Sequence, residues 1–294
     1  MSESPPALTG YLNGKFMPVS ELSIPISDFG FTMGVTLTEQ MRTWSADGDI
    51  ALLPLHLRRF GNGLLSLGIE LDIQQVEQAI DSVLERNRVH CEDGDALGIG
   101  LCATPGTSPR FADPQFQIAP NPATLLVYPW PLARSRDTQW REQGVSLASV
   151  DVTEVPAESV PKSIKSRSRL HYFLADRKAK EKSPGAMPLL CNAEGFVAEC
   201  STGSIGLIRN DTITFPPSGE ILDSVGLRFL ESDLGIDIDR KSFKLADCLQ
   251  ADAMIWLNAI TGPLSVAKLD DHAFDQDNGL LSDLVQRWWQ QVVA

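Results

Sequence analysis

A cluster of basic residues surrounds Lys165, and its composition could support nucleophilic chemistry. A lysine amine attacks a carbonyl only when it is neutral, so its ordinary pKa of about 10.4 must be lowered. Nearby cations and a helix N-terminus both disfavour one more positive charge. Lys162, Arg167 and Arg169 supply the cations, and Ser168 is predicted to be the N-cap of a following helix. The pattern is compatible with a Schiff-base lysine, but by itself it is explained as well by a solvated basic face.

The elements around this lysine are predicted to form two blocks of mixed helices and strands. Asn13-Gly14 is typical of a hairpin turn, and apolar residues recur with helical spacing over 73–88. The first block also carries strands at 37–44, 50–53, 97–103 and 123–128 and a helix at 55–67. The second carries strands at 145–150, 187–191, 195–202, 204–209, 212–215 and 253–257, and helices at 169–182, 225–234 and 279–292.

This arrangement predicts an α/β or α+β protein with two domains. We expect a small N-terminal α/β domain at 1–130 and a linker at 131–136, where prolines and charges mix. A larger C-terminal domain with a mixed, barrel-like sheet is expected at 137–294.

The overall composition limits the classes of function. A net charge of −13 and a pI near 4.7 argue against nucleic-acid or anionic-membrane partners. No apolar stretch approaches the length of a membrane span. Five cysteines without a CxxC pair predict a reduced, cytoplasmic protein, and four scattered histidines show no metal-ligand spacing. We therefore expect a soluble protein that binds small molecules and no metal.

Several short motifs occur in an order that matches a known family. They are Ile24-Pro25-Ile26-Ser27-Asp28-Phe29-Gly30-Phe31-Thr32-Met33-Gly34, His56-Leu57-Arg58-Arg59-Phe60, Ile164-Lys165-Ser166, Gly195-Phe196-Val197-Ala198-Glu199 and Ile221-Leu222-Asp223-Ser224-Val225-Gly226. The chain resembles the class IV aminotransferases over nearly its whole length. These are the fold-type IV enzymes that use pyridoxal 5'-phosphate, among them branched-chain and D-amino acid aminotransferases and aminodeoxychorismate lyase.

The resemblance implies roles around the cofactor. Lys165 would be the Schiff-base lysine and proton shuttle, with Lys162 as the rival in the same segment. Glu199 would hold the pyridine nitrogen and keep the ring protonated, which makes the cofactor an electron sink. Arg59 would grip the phosphate with its fork of N–H groups. The remaining cofactor contacts would come from Ser224, Val225, Gly226, Ala259 and Ile260.

The substrate side departs from the family pattern. Thr38 stands where an aromatic residue is usual, and Asn258 begins a loop like that of the lyases. Arg110 resembles the carboxylate-binding arginine of D-amino acid aminotransferases, but Ala112 replaces the histidine that accompanies it. Gly226 stands where the phosphate cup usually has threonine. Thr38, Arg110 and Asn258 are the predicted substrate contacts.

The resemblance leaves three functions open. An aminotransferase acting on an amino acid and a 2-oxo acid leads. A lyase that releases pyruvate is favoured by the Asn258-Ala259 loop, and a binding protein that has lost catalysis is suggested by the altered motifs. By analogy with the family, a homodimer is expected.

Overall fold

The protein divides into two compact units. This computed structural model describes residues 6–44, 49–94, 96–111, 113–132 and 134–292, so Ala112, and Ala133 within the predicted linker, lie outside it. Unit 1 comprises Met1–Leu132 and Ile164–Ser168, and unit 2 comprises Ala133–Ser163 and Arg169–Ala294. The domain bounds expected from the sequence stay a prediction, and they give no hint that the Lys165 segment is grouped with unit 1.

Unit 1 is built on a five-stranded antiparallel sheet. Its strands are β1 (Thr9–Leu12), β2 (Lys15–Pro18), β3 (Leu37–Arg42), β4 (Leu97–Thr104) and β5 (Thr124–Pro131). Their order is β2-β1-β5-β4-β3. Asn13 and Gly14 turn the β1–β2 hairpin with positive φ angles of 47° and 88°, as the sequence predicts.

The α-helices of unit 1 within the described residues are α1 (Phe29–Thr32), α2 (Leu53–Leu67) and α3 (Ile73–Asn87). Asp72 caps α3 by accepting the N–H of Gln74. The apolar stripe that predicts α3 is buried in the core of unit 1 with residues of the sheet, and it includes Val76, Ile80 and Val83. The helices α2 and α3 therefore pack on the sheet through this core.

The Lys165 segment lies on the free edge of β3. Ser166 forms an antiparallel bridge with Leu37, the Thr38 N–H donates to the Lys165 carbonyl at 2.8 Å, and the side chain of Ile164 packs on the core of unit 1. The backbone of Lys165 is thus held as a short extra edge of the sheet.

Unit 2 is built on a closed sheet. Its strands are β6 (Val145–Ser149), β7 (Met187–Cys191), β8 (Val197–Cys200), β9 (Gly203–Arg209), β10 (Thr212–Phe215), β11 (Asp239–Arg240), β12 (Ala253–Asn258), β13 (Gly262–Leu269) and β14 (His272–Ala273). The order β9-β12-β13-β6-β7-β8 returns to β9, so six strands form a barrel. Buried apolar residues of all six strands share one core.

The helices of unit 2 are α4 (Arg134–Gln143), α5 (Leu170–Lys182), α6 (Val225–Arg228), α7 (Leu245–Cys248) and α8 (Gly279–Val292). A π-helical turn, Phe229–Asp233, follows α6 directly. Trp288 of α8 is fully buried and packs edge-on against Phe229 at a centroid distance of 5.0 Å. α8 therefore packs against the turn that follows α6.

Several details of the sequence prediction differ from the structure, among them the helix α4, which was not predicted. Residues 50–53 form no strand, because only Ile50 pairs, with Thr43, and α2 already begins at Leu53. The strand β13 was not predicted. Ser168 does not cap α5, whose N-cap is Arg169; the Ser168 hydroxyl donates instead to the Gly34 carbonyl at 2.6 Å.

Candidate functional site

Lys165 is flanked by contacts that fix its backbone within unit 1. After the bridge at Ser166, the Arg167 N–H donates to the Thr36 carbonyl at 2.9 Å. Gly34 has a φ of +68°, and a Cβ there would approach the Ser168 hydroxyl to 3.0 Å, so glycine allows Ser168 to bond its carbonyl. The lysine side chain therefore leaves a segment that is anchored on both sides.

The three cations predicted to crowd Lys165 have different partners. Lys162, in unit 2, donates to Glu154 at 2.6 Å and to the Val155 carbonyl at 2.8 Å. Arg169, also in unit 2, donates to the Ser201 carbonyl. A neutral Lys162 would leave the buried Glu154 without this cation, which disfavours the rival lysine as a Schiff-base former.

Arg167 shares unit 1 with Lys165. Its Nη2 donates to the Tyr128 hydroxyl at 2.9 Å. Lys162 and Arg169 belong to unit 2, so Arg167 is the one predicted cation that lies in the same unit as Lys165.

A buried charge cluster joins β3 to α2 in unit 1. Glu39 lies on β3 between Leu37 and Met41 and is fully buried. Arg59 donates from Nε to Glu39 Oε1 and from Nη2 to Oε2, each at 2.6 Å. His56 Nδ1 lies 2.8 Å from Oε2 and must donate, because a carboxylate only accepts.

The electrostatics of this cluster fix its charge state. Burial raises the pKa of Glu39, but the charge and hydrogen bonds of Arg59, together with His56, outweigh burial and hold that pKa at about 2. Burial lowers the pKa of His56, so its imidazole is neutral at pH 7. The cluster is therefore a Glu39–Arg59 ion pair with a neutral histidine.

Glu199 is the buried carboxylate of unit 2. It lies on β8 and is 6% exposed. The Tyr172 hydroxyl donates to its Oε2 at 2.8 Å, and the Leu222 N–H donates to its Oε1. Both donors are neutral, and no cationic side chain of the described residues lies within ion-pair distance.

The charge of Glu199 is therefore poorly compensated. Burial, reinforced by the negative charge of Glu154, raises its pKa, and the hydrogen bonds from Leu222 and Tyr172 offset this only in part. A buried carboxylate in this state is stabilised by a positively charged N–H donor. Glu199 thus fits a ligand that presents such a donor.

Ser224 begins α6 and orders its first turn. The Ser224 Oγ accepts the Leu227 N–H at 3.3 Å, and its carbonyl accepts the Arg228 N–H at 3.0 Å. Val225 and Gly226 are buried, and their N–H groups belong to the first turn, which has no preceding helical carbonyls to bond. Such amides can bind an anion.

The loop after β12 is ordered by Asn258. Its Oδ1 accepts the N–H groups of Ile260 and Thr261 and the Thr261 hydroxyl, at 2.8–3.0 Å. Its Nδ2 donates to the Thr202 carbonyl at 3.1 Å. The side chain of Asn258 thus shapes the backbone that carries Ala259 and Ile260.

Two of the predicted substrate contacts lie in unit 1 in different surroundings. Thr38 is buried opposite Lys165, and its hydroxyl donates to the Leu101 carbonyl at 2.9 Å. Arg110 is exposed in a short 3-10 turn, Pro109–Phe111. The structure therefore puts Thr38, and not Arg110, against the backbone of Lys165.

Within unit 1 the structure brings Thr38 next to Lys165. It also places Arg59 in a cluster with Glu39 and His56, two residues that the sequence did not predict to be partners of Arg59. A signal for them exists. Glu39 occupies the core face of a strand, where a carboxylate needs a cation, and His56 and Arg59 share one helix face at a spacing of three.

Other types of site receive no support from the described part of the chain. No group of three or more metal-ligating side chains occurs among its residues. None of its helices is both long and apolar enough to cross a membrane.

Curated relatives match most of this chain. It is 26% identical over 265 residues to a putative branched-chain-amino-acid aminotransferase of Methanocaldococcus jannaschii, covering 88% of this chain and 87% of the relative. It is 22% identical over 293 residues to an aminodeoxychorismate lyase of Bacillus subtilis, covering 96% and 94%.

A solved structure shows the same fold. The T.th. branched-chain amino acid aminotransferase, complexed with N-(5'-phosphopyridoxyl)-L-glutamate, superposes with a TM-score of 0.81 at 21% identity, covering 99% of this chain and 95% of that one. This confirms the predicted fold-type IV α/β architecture. A family model described as amino-transferase class IV matches residues 36–269, and the chain therefore belongs to the class IV amino-transferase family.

Proposed function

We propose that this protein is a pyridoxal phosphate-dependent aminotransferase that moves an amino group between an amino acid and a 2-oxo acid, with Lys165 carrying the cofactor. The observation that carries the proposal is Glu199, a buried carboxylate that accepts only from neutral donors of the described residues. The protonated nitrogen of the pyridine ring is the kind of donor that this carboxylate lacks.

Glu199 would set the electronic state of the cofactor. When bound, pyridoxal phosphate supplies an electron sink for the negative charge that develops at the substrate α-carbon. A carboxylate against the ring nitrogen keeps that nitrogen protonated, and the bound cation in turn stabilises the ionised Glu199. Tyr172 and the Leu222 N–H hold the carboxylate in one orientation.

The phosphate would be held by Arg59 and by backbone amides. The ion pair with Glu39 orients the guanidinium, and the amides of Val225 and Gly226 supply anion-binding donors at the start of α6. Ser224 keeps that turn in shape, and Asn258 does the same for the loop with Ala259 and Ile260. These contacts need no threonine at position 226.

Lys165 would act as the base at the α-carbon. Its backbone is fixed by Thr38, so that its amine can take up the α-proton from one direction. Thr38, Arg110 and Asn258 remain the predicted substrate contacts.

The proposal is tested by amino-group transfer. Purified protein supplied with pyridoxal phosphate should gain a visible absorbance band and transfer the amino group of an amino acid to 2-oxoglutarate. Lys165→Ala should abolish the transfer, and Lys180→Ala, which changes an exposed lysine of α5, should leave it intact. Full transfer by Lys165→Ala would refute the assignment.

A lyase is the second candidate, because the Bacillus subtilis relative named as an aminodeoxychorismate lyase matches 96% of the chain. The order that Asn258 imposes on its loop is compatible with either reaction. The two candidates differ in product. Release of pyruvate without an acceptor acid indicates the lyase, whereas strict dependence on a 2-oxo acid acceptor indicates the aminotransferase.

We also propose that the protein is a cytoplasmic homodimer. Each unit exposes large apolar side chains: Ile26, Phe31 and Met33 in unit 1, at 66–70% exposure, and Leu170, Phe173 and Leu174 in unit 2, at 42–70%. Apolar clusters of this kind are typical of protein interfaces. Light scattering should give twice the chain mass, and a monomer at micromolar concentration would refute the dimer.

A further inference from the structure

Arg167 and Lys165 project from the same side of one edge segment. Ser166 lies between them and pairs with Leu37, whose side chain is in the core of unit 1. Because side chains alternate along extended backbone, the Cβ atoms of Lys165 and Arg167 lie on the same side of this segment. The charge of Lys165 also acts on His56 of α2, so its long side chain serves the same region as the Glu39–Arg59 cluster.

Tyr128 on β5 holds that guanidinium. In the register of the sheet, Gln40, Gly100 and Tyr128 lie side by side on β3, β4 and β5. A Cβ at Gly100 would come within 2.3 Å of the Tyr128 ring, so the absence of a side chain lets the ring lie across β4 towards β3. Its hydroxyl then reaches Arg167 at 2.9 Å.

The charge of Arg167 is not neutralised by the protein. Other arginines of the fold bind carboxylates in pairs of bonds: Arg59 binds Glu39, Arg228 binds Asp223 and Arg240 binds Glu231. Arg167 has no carboxylate within ion-pair distance among the residues that the structure describes, although it is only half-exposed. A guanidinium in that position binds a carboxylate with two parallel N–H bonds.

The phenol of Tyr128 orients the guanidinium of Arg167. Arginine only donates, so the Tyr128 oxygen accepts from Arg167, and the side chain of Gln40 also hydrogen-bonds this phenol. Burial raises the pKa of Tyr128 despite the opposing charge of Arg167, so the hydroxyl stays protonated at neutral pH. The neutral phenol therefore holds the guanidinium of Arg167 in place without cancelling its charge.

We propose that Arg167, positioned by Tyr128, binds a carboxylate of the amino acid and 2-oxo acid substrates. This inference rests on the proposed function and specifies how it recognises its substrates. It gives the recognition of the carboxylate to Arg167, whereas the sequence pattern suggests Arg110, which is exposed in the Pro109–Phe111 turn.

The test compares arginine variants of the holoenzyme. Succinate and propionate serve as unreactive probes, and their binding is followed by calorimetry. We expect Arg167→Gln to weaken binding at least tenfold, Arg167→Lys to restore part of it, and Tyr128→Phe to weaken it severalfold. Arg58→Gln, an exposed arginine of α2, should bind both probes like the wild type.

Kinetics separate recognition from general damage. Arg167→Gln should raise the KM for the amino acid and the 2-oxo acid more than it lowers kcat, and circular dichroism should match the wild type. If Arg167→Gln raises the KM for alanine and for glutamate by the same factor, Arg167 binds the α-carboxylate. If the KM rises for glutamate alone, Arg167 binds the side-chain carboxylate. Both results support the inference.

Other results overturn it. If Arg167→Gln binds both probes within twofold of the wild type, or if only Arg110→Gln weakens them, Arg167 is not the anchor. If Arg167→Gln does not fold, the binding of the two probes is measured in Arg167→Lys and Tyr128→Phe instead. Wild-type binding by both variants refutes the inference. An active enzyme with unchanged KM in these variants leaves the proposed function standing, whereas failure to bind pyridoxal phosphate refutes that function separately.

Discussion

Glu39 and Glu199 are both buried strand carboxylates, and the two units treat them in opposite ways. Glu39 faces Arg59 and His56, and its pKa is held at about 2. Glu199 accepts from a phenol and a backbone amide, and its pKa is raised. The protein itself supplies the cation that pairs with Glu39, whereas we propose that a ligand supplies the cation for Glu199. Burial alone therefore does not identify a functional acid; the charge of its partners does.

Removal of the Glu39 charge should have the largest effect. Glu39→Gln leaves the buried Arg59 without its anion, and breaking such a pair costs about 3–5 kcal/mol of the free energy of unfolding. Urea unfolding at pH 7 measures it. Glu85→Gln breaks the exposed pair with Arg88 as a control and should cost under about 1 kcal/mol. Equal losses would mean that the Glu39 pair contributes no more than a surface pair.

Removal of the Glu199 charge should separate activity from stability. Glu199→Gln is expected to lower kcat for transamination by about 10²–10³-fold, the usual cost of losing one group that stabilises transition-state charge. The same variant without cofactor should be at least as stable as the wild type at pH 7. The pKa of Glu199 in the folded protein is raised above its ordinary value. Glu199 therefore stabilises the fold at pH values below that ordinary value, and this contribution is lost as the pH rises through the raised pKa.

The control for this variant is Glu194→Gln, which changes an exposed glutamate of unit 2. It should leave both kcat and stability unchanged. A Glu199→Gln enzyme with full activity, or one that is strongly destabilised without cofactor, would remove the contrast with Glu39.

Sequence patterns predicted local helices and turns better than they predicted contacts between residues far apart in the chain. The α8 helix follows from its apolar spacing, and Asn13-Gly14 fixes the first hairpin because few residues adopt positive φ angles easily. In contrast, the edge position of Lys165 depends on one bridge to a strand more than a hundred residues away. Ser166 carries no local signal of that pairing.

The same contrast between local and long-range information holds for the candidate site. The resemblance to the class IV family suggested Arg59 and Glu199. The partners of these residues, Glu39 for Arg59 and the neutral donors around Glu199, come from distant parts of the chain. Arg167 was read only as one cation in a basic cluster. Its contact with Tyr128 depends on Gly100, whose role becomes visible only in the register of three strands.

Acid should remove the Glu39 contribution gradually. Its folded pKa is depressed from the ordinary value near 4.5 to about 2, so this stability is present above pH 4.5 and is lost as pH falls towards 2. The loss amounts to about 3 kcal/mol. Unfolding of the wild type and Glu39→Gln across this range should converge at the acid end. A constant difference would contradict the depressed pKa.

Loss of the Tyr172 hydroxyl should have the smallest effect. Tyr172→Phe removes one of the two hydrogen bonds to Glu199, which is worth about 1 kcal/mol, or roughly fivefold in an equilibrium constant. We expect a severalfold weaker affinity for pyridoxal phosphate, measured by absorbance titration, with the fold intact. An unchanged affinity would show that Tyr172 does not position the carboxylate.

The most direct test of the account is to locate the cofactor on the chain. Protein incubated with pyridoxal phosphate is reduced with borohydride, digested and mapped by mass spectrometry. The account predicts a pyridoxyl group on Lys165 in the wild type, with much lower occupancy in Glu199→Gln. A label on Lys162, or equal labelling of exposed lysines such as Lys180, would contradict it.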